Sequence, residues 1–323
     1  MQRRVLLQAA LMSTVFGSGL ARAANYPGKP VRYVVPFAPG GTTDILARLI
    51  GPKLSAALGQ QFIVENKAGA GGVVGADAVA KSAPDGYTIL GGTISSQAIN
   101  PALQPRIPYD AAKDFAPITL IGSTPNVVIV PASSPFKTMQ ELLAHARSNP
   151  GRLTHSSAGT GTSQHMGGEL LKQLAKVFIV HIPYRGSGPA IQDVMGGQVS
   201  MGIDTLVVAA PHIKAGTLRA LAVTTAKRAK GFESIPTVAE SGVPGYDVAS
   251  WQSVHAPAGT PSEITHLLAS EIAKAMKLPD IQERFAALGL EASGMSPEQL
   301  AAFETKERAK WARVVKDGNI KAE

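Results

Sequence analysis

A strand, a glycine turn and the start of a helix follow one another early in the chain. Val31–Val35 is a β-branched run, Phe37–Asp44 contains the turn, and Ile45–Ile50 begins a helical pattern. The hydroxyls of Thr42 and Thr43 are suited to capping that helix. The unpaired N–H groups and the positive end of the helix dipole favour an anion above the turn. A single turn of this kind is equally well explained as an ordinary connection between a strand and a helix.

The same arrangement returns twice in the second half of the chain. Ser156–His165 contains a strand end, a glycine loop and a helix start, with Ser163 as the predicted cap. Pro183–Ala190 repeats the pattern, with Pro189 as the first helical residue. Ligands of open α/β sheets bind at the carboxyl ends of strands, which is where all three loops lie. Three such loops favour a binding site, and a structural reason common to all three is the alternative.

Strand and helix patterns alternate along the chain, which ends in a helical region. Strands are predicted at 31–35, 62–64, 87–90, 153–157, 178–182, 199–203 and 218–224, and helices at 44–58, 74–82, 139–147, 163–176, 190–195, 261–276, 280–288 and 297–315. Residues 91–96 are predicted as a loop, and 117–130 and 246–256 as extended crossing segments. This order predicts an α/β fold with a mostly parallel sheet, in which two βα domains clamp a cleft. The predicted domains are 24–124 with 249–323, and 125–248.

The first 23 residues have the features of a secretory signal peptide. Arg3 and Arg4 precede an apolar stretch, Val5–Leu20, that is too short to span a bilayer. Residues 21–23 then fit a small-residue cleavage site. The arginine pair also permits twin-arginine export, but the sequence favours the Sec route. We therefore predict an exported protein.

Composition removes several classes of protein. There is no cysteine, so disulfides, thiol nucleophiles and thiolate metal sites are excluded, and 45% hydrophobic residues must supply the core. The formal charge of +8 falls to +5 when Arg3, Arg4 and Arg22 are left out. The remaining basic residues are scattered, so we expect no nucleic-acid partner. A mild positive field favours small anions.

Motifs for catalysis, dinucleotides and metals fail on inspection. Gly69–Gly75 departs from the dinucleotide fingerprint at Val74. Gly161–His165 has a histidine where a nucleophile elbow needs glycine. The 7 histidines lack metal-ligand spacing with carboxylates. We therefore predict no catalytic residue, no metal and no cofactor.

Three side chains near the loops each have two interpretations. His165 either contacts a ligand or supports the loop from the helix surface. Phe37 either walls a pocket or belongs to the core. Asp204, at a predicted strand end, either meets a cationic group of the ligand or caps the turn that follows it.

Short motifs in a fixed order run along nearly the whole chain after residue 23. They are Tyr26-Pro27, Val35-Pro36-Phe37-Ala38-Pro39-Gly40-Gly41-Thr42-Thr43-Asp44, Val64-Glu65-Asn66-Lys67, Gly69-Ala70-Gly71-Gly72, Pro84-Asp85-Gly86-Tyr87, Gly161-Thr162-Ser163 with His165, Pro183-Tyr184-Arg185-Gly186, and Ala256-Pro257-Ala258-Gly259-Thr260-Pro261. In this ordered set the chain resembles the Bug-type periplasmic solute receptors, the binding components of tripartite tricarboxylate transporters.

The resemblance implies a type II periplasmic-binding-protein fold, a periplasmic location and binding without catalysis. Loops 37–44 and 159–165 would hold a carboxylate, largely through backbone groups, while loop 184–187 and Asp204 surround the other end of the ligand. The expected ligand-binding residues are Phe37, Ala38, Gly40, Gly41, Thr42, Thr43, Asp44, Ser95, Ser96, Ser157, Gly159, Thr160, Gly161, Thr162, Ser163, His165, Tyr184, Gly186, Ser187 and Asp204.

The implied partners are a small carboxylate and the membrane permease subunits, with the receptor itself a monomer. The carboxylate would be an amino acid, a di- or tricarboxylate or an aromatic acid. A second hypothesis is a receptor that presents its ligand to a two-component signalling kinase. Both hypotheses use the same clamp, so the sequence leaves the choice open. A hydrolase is poorly supported, because Ser163 and His165 alone do not make a triad.

Overall fold

The computed structural model describes residues 26–322, so the predicted signal segment lies outside it. The strands are β1 Val31–Val35, β2 Phe62–Asn66, β3 Thr88–Thr93, β4 Phe115–Pro131, β5 Thr154–Ser157, β6 Val180–Pro183, β7 Met201–Thr205, β8 Leu218–Val223, β9 Ala249–Pro257 and β10 Glu291–Ala292. The helices are α1 Thr42–Leu58, α2 Val73–Ala80, α3 Asn100–Leu103, α4 Met139–Ser148, α5 Ser163–Ala175, α6 Ser187–Met195, α7 Leu206–Lys214, α8 Ser262–Met276, α9 Pro279–Ala287 and α10 Pro297–Asp317. Ala70–Gly72 forms a 3₁₀ turn and Ser95–Ile99 a π-helical turn.

The strands form two sheets that share β4. The first has the order β2-β1-β3-β9-β4, with β10 added to β4, and the second continues as β4-β7-β5-β6, with β8 also on β4. Pairs within each βα unit are parallel, whereas every pairing of β4, and that of β3 with β9, is antiparallel. The prediction of a mostly parallel sheet is therefore wrong. The crossing segments themselves join the sheets as strands, and a chain that goes out and returns pairs antiparallel.

Two βα lobes joined by extended crossing segments are confirmed. We call β1–β3, β9, β10, α1, α2, α8 and α9 the first lobe, and β5–β8 with α4–α7 the second lobe. β4 enters both sheets, and Pro125 of β4 pairs with Ala249 at the start of β9. These two residues lie next to the expected domain boundaries, which stay a prediction.

Apolar clusters stabilise the lobes and the region between them. Tyr33, Leu46 and Leu268 are fully buried in the first lobe. In a second cluster, Leu142 of the second lobe belongs with Trp311 of α10, which packs against β4 and the π-helical turn. Burial of each such side chain contributes about 1.5–3 kcal/mol. Helix α10 therefore braces the region where the chain crosses between lobes.

Two helices that border the space between the lobes differ from the prediction, α1 in its first residue and α5 in its N-cap. Helix α1 starts at Thr42, and its N-cap is Gly41 rather than Thr42 or Thr43. Helix α5 has Thr162 as its N-cap, so Ser163 is its first residue and not its cap. Both N-cap residues have extended backbone. This register places hydroxyl side chains in the first turn of each helix.

Other differences have tertiary causes. Helix α6 starts at Ser187 instead of Ala190, since proline at position 189 is compatible with any place in a first turn. Strand β3 runs to Thr93 through the predicted glycine loop, because it pairs with β9 that far. Helix α8 starts at Ser262, one residue later than predicted, with Pro261 as its N-cap. The sequence pattern predicts neither α3 nor α7.

Among residues 26–322, none of the helices is long and apolar enough to cross a membrane.

Removal of the α10 cap is expected to destabilise the fold modestly. The Ser296 hydroxyl accepts from the Gln299 N–H, and the Gln299 side chain bonds back to the N-cap backbone. Ser296→Ala should lower the free energy of unfolding in urea by about 1 kcal/mol. Ser262→Ala is the matched control, because α8 begins at Ser262 without a side-chain cap. Equal losses in both variants would contradict the assignment.

Candidate ligand-binding cleft

A cavity lies between the two lobes. Its volume is about 30 Å³. Both lobes contribute to its wall, the first lobe partly through the crossing strand β9. The lining residues are Phe37, Gly41, Thr42, Thr43, Thr93, Ser95, Ala158, Ser163, Gln164, Ser187, Thr205, Ser250 and Gln252.

Five helical segments begin at this cavity. They are α1, α5, α6, α7 and the π-helical turn after β3. The N-caps of α1, α6 and α7 are Gly41, Gly186 and Thr205, and none of them makes a side-chain cap hydrogen bond. By contrast, α4 and α10, which begin away from the cavity, each have a complete capping box. First-turn N–H groups without caps or intrahelical partners are donors for a bound anion.

The cavity wall is polar but uncharged. Eight lining side chains are Ser or Thr and two are Gln, while Phe37 is the aromatic member. None of the residues that line the cavity is Asp, Glu, Lys, Arg or His. Within residues 26–322 no group of three or more metal-ligating side chains is suited to a metal ion. The chemistry of the wall is therefore hydrogen bonding from hydroxyl, amide and backbone groups.

The lobes are closed onto one another. The Ala38 N–H donates to the Arg185 carbonyl at 3.1 Å, and the Thr42 and Thr205 hydroxyls are 2.5 Å apart across the cleft. A cavity of about 30 Å³ holds no more than a water or two. A larger molecule therefore requires the lobes to separate for its entry and the cavity to expand when the lobes close again.

Seven of the expected ligand-binding residues line the cavity. They are Phe37, Gly41, Thr42, Thr43, Ser95, Ser163 and Ser187. Ala38, Gly40 and Gly186 lie beside it at the contact between loop 37–44 and the loop before α6. Their roles in binding stay predictions.

Asp44 and Tyr184 have their polar groups engaged elsewhere. The Asp44 carboxylate accepts from the Gly40 N–H, the Arg48 guanidinium and the Asn66 amide. Burial raises the pKa of Asp44, but these hydrogen bonds, led by Arg48, outweigh burial and leave the pKa below its usual value. The Tyr184 hydroxyl donates to Asp193 at 2.6 Å. Both residues stabilise loop conformations in this closed state.

The loop at 157–165 is held internally and against the first lobe. Ser157 bonds the His181 ring at 2.7 Å, and Thr162 caps α5. His165 accepts the Gly161 N–H at 3.2 Å, which favours the interpretation of His165 as loop support. The backbone at 159–161 packs against Gly71 and Asn100 of the first-lobe side, and Ser96 bonds Thr93.

Six lining residues are absent from the sequence prediction. They are Thr93, Ala158, Gln164, Thr205, Ser250 and Gln252. Thr205 and Gln164 directly follow Asp204 and Ser163, which the sequence analysis does predict. Their position next to predicted site residues could therefore have identified them. Ser250 and Gln252 lie two residues apart on β9, as expected for one strand face. The Thr43 hydroxyl donates to the Gln252 side chain at 2.8 Å, which joins α1 to the crossing strand.

Asp204 lies behind the wall and is not one of its lining residues. It is 2% exposed at the end of β7, and its Oδ1 accepts from the Thr205 N–H at 2.7 Å. Burial raises the pKa of Asp204 to about 6. This placement agrees with the interpretation of Asp204 as a residue of the turn more closely than with direct contact to a ligand.

Two lobes that close on a cavity bordered by helix starts define a solute-binding protein of the clamp type. Residues 46–320 match the family described as "Tripartite tricarboxylate transporter family receptor". The chain therefore belongs to this family of solute-binding receptors and is not an enzyme.

Solved structures agree over nearly the whole chain. A structure described as "periplasmic binding protein BugD" is 34% identical, covers 92% of this chain and 100% of its own, and has a TM-score of 0.89. Rpa4515 of R. palustris, solved with adipate, is 39% identical over 92% of this chain and 99% of its own, at a TM-score of 0.88. MatC of Rhodopseudomonas palustris, solved with bound malate, is 34% identical, covers 90% of this chain and 100% of its own, and has a TM-score of 0.86. The periplasmic-binding-protein fold and the Bug resemblance are thereby confirmed.

Proposed function

We propose that this receptor captures a small carboxylate in the cleft between its lobes and delivers it to the permease of its transporter. The observation that carries this proposal is the convergence of five helical starts, three without side-chain caps, on one uncharged cavity. The family implies a periplasmic location, which the proposed signal peptide would provide, and we expect the receptor to act as a monomer. The seven lining residues from the sequence prediction are its proposed contacts, together with the six that β9 and neighbouring positions add.

Neutral donors are sufficient for useful affinity. Micromolar binding needs about −8 kcal/mol. A hydrogen bond to a charged group contributes about 1.5–3 kcal/mol, and a helix end adds about 0.3–1 kcal/mol. Four or five such donors, acting after closure has expelled water, therefore offset the cost of ordering the ligand. Adipate and malate in two relatives support carboxylates of four to six carbons as the first candidates.

Native mass spectrometry of the protein as purified tests the proposal without prior choice of ligand. We expect a retained small acid, or, after its removal, a rise in melting temperature with at least one member of a carboxylate panel. The panel should include malate, adipate, a tricarboxylate, an aromatic acid and acidic amino acids. A folded protein that responds to none of them would contradict the proposal.

Thr42 offers a way to separate the backbone contribution from the side chain. Thr42→Val removes the hydroxyl that meets Thr205 and should weaken binding of the best panel carboxylate about threefold, as expected for one modest hydrogen bond. Thr42→Pro also removes the N–H and should weaken binding about thirtyfold, since that bond is charge-assisted. Proline fits there, because Thr42 is the first helical residue and Gly41 is extended. Equal calorimetric affinities for the two variants would show that this N–H does not hold the ligand.

A further inference from the structure

Asp204 is a buried carboxylate for which no cation is found as a partner among residues 26–322. It lies at the end of β7, and its Cα pairs with that of Val127 on β4. Three cavity residues donate to its Oδ1: the Ser187 hydroxyl at 2.7 Å, the Thr205 N–H at 2.7 Å and the Gln164 amide at 3.5 Å. These donors belong to the starts of α6, α7 and α5. One oxygen atom therefore connects three of the helix starts that border the cavity.

We propose that Asp204 is a positioning residue that sets the arrangement of these three helix starts and, through its charge, makes anion binding depend on pH. The first part is independent of any ligand. The second rests on the proposed carboxylate-binding function. A further link leads from Thr205 to Thr42 of the first lobe, so the same residue supports the closed state.

Among residues 26–322, the carboxylate of Asp204 is held by neutral donors at the three helix starts and not by a cationic side chain. The titratable or charged groups on the elements packed against β7 are His165, Glu169 and Lys172 of α5, Asp193 of α6, His212 and Lys214 of α7, and His155 of β5, while β4 has none. None of them causes the raised pKa of Asp204, which burial produces against the hydrogen bonds from Ser187, Thr205 and Gln164. An anion in the cavity would use the same positive helix ends as Asp204. Ionised Asp204 therefore opposes the anion, and protonation relieves that opposition.

Hydrogen exchange of the ligand-free protein tests the positioning role. Asp204→Ala leaves three donors without their acceptor, so we expect exchange in the first turns of α5, α6 and α7 to accelerate at least about tenfold. Exchange at α4 and α10, which have their own capping boxes, should stay as in the wild type. Asp204→Asn retains an acceptor oxygen and should stay within about threefold of the wild type. Unchanged exchange in Asp204→Ala, or equal acceleration at α4 and α10, would overturn the positioning role.

Calorimetric titration with malate tests whether the charge of Asp204 affects anion binding. If malate does not bind, the panel carboxylate with the highest affinity replaces it. Wild-type affinity should rise severalfold from pH 8 to pH 5.5, whereas Asp204→Asn should bind at pH 8 as tightly as the wild type does at pH 5.5, with a flat profile. Loss of all binding in Asp204→Asn would show direct contact with the ligand and overturn the proposal. Absence of binding by the wild type would instead refute the proposed function, and the exchange result would still decide the positioning role.

Discussion

Replacing Gly71 by alanine is expected to lower carboxylate affinity at least about a hundredfold, or roughly 2.7 kcal/mol, while the protein stays folded. A Cβ at Gly71 would overlap the carbonyl oxygen of Thr160, which belongs to the second lobe. The obstacle is backbone, so no side-chain rotation relieves it. The lobes must then stay apart at this contact, and the cavity donors of the two lobes no longer converge on one ligand. Calorimetry measures the loss, and small-angle scattering should show a larger radius of gyration in the presence of ligand.

Gly59→Ala is the matched control for this variant. Gly59 ends α1 with a φ of 71°, close to the 60° of Gly71, but a Cβ there meets nothing within 4 Å. Both substitutions therefore carry the strain of a left-handed alanine, and only Gly71→Ala obstructs closure. Wild-type affinity in Gly71→Ala would show that ligand binding does not use this closed state.

Acid is expected to destabilise the receptor through two buried histidines of the second lobe. Burial, followed by the charges of His181, Lys172 and His165, holds the pKa of His155 well below its usual value. Burial, followed by Lys172, lowers the pKa of His181 to about 4. In the unfolded chain these residues bind protons near pH 6.5. The contribution of the two neutral histidines to the free energy of unfolding is therefore fully present above that pH and is lost as the pH falls towards 4.

Each histidine should contribute a slope of about 1.4 kcal/mol per pH unit over the affected range. Asp204, whose pKa is raised to about 6, acts in the opposite direction below pH 6 and offsets part of the loss. Urea unfolding at pH 7, 5.5 and 4.5 measures the net slope.

Two substitutions make the acid prediction specific. His155→Phe keeps a ring beside His181, with 4.9 Å between the two ring centroids. This substitution should reduce the slope of the free energy of unfolding against pH by the contribution of one histidine, about 1.4 kcal/mol per pH unit. His266→Gln removes an exposed imidazole whose pKa is raised by hydrogen bonds to Ser262 and Glu298. Because protonated His266 stabilises the folded state, this substitution should make the loss of stability in acid steeper. An unchanged slope in His155→Phe would exclude this residue as a source of acid sensitivity.

Local patterns were sufficient to predict the two βα units. The run Val31–Val35, the turn after it and the apolar periodicity of α1 are short-range features, and they occur where predicted. Helix starts were less well placed. Gly41 is an N-cap without a side-chain hydrogen bond, and Thr162, not the neighbouring Ser163, accepts from the His165 N–H, a choice between adjacent hydroxyl residues that composition does not reveal.

The cavity wall was only half predictable for a different reason. Ser250 and Gln252 come from β9, which reaches the cleft only because it pairs with β3 and β4. No local motif marks such residues. Asp204 shows the same limit, since its three donors come from positions 164, 187 and 205 and meet only in the folded lobe.

The most direct test of carboxylate capture is calorimetry that compares each acid with its uncharged amide. The ligand-stripped wild type should be titrated at pH 7 with malate, adipate and the other acids of the panel, and with the corresponding amides. If N–H and hydroxyl donors at the helix starts hold an anion, at least one acid should bind with about micromolar affinity and its amide at least about a hundredfold more weakly. Equal affinities for an acid and its amide, or binding of the amide alone, would contradict carboxylate capture at this cleft.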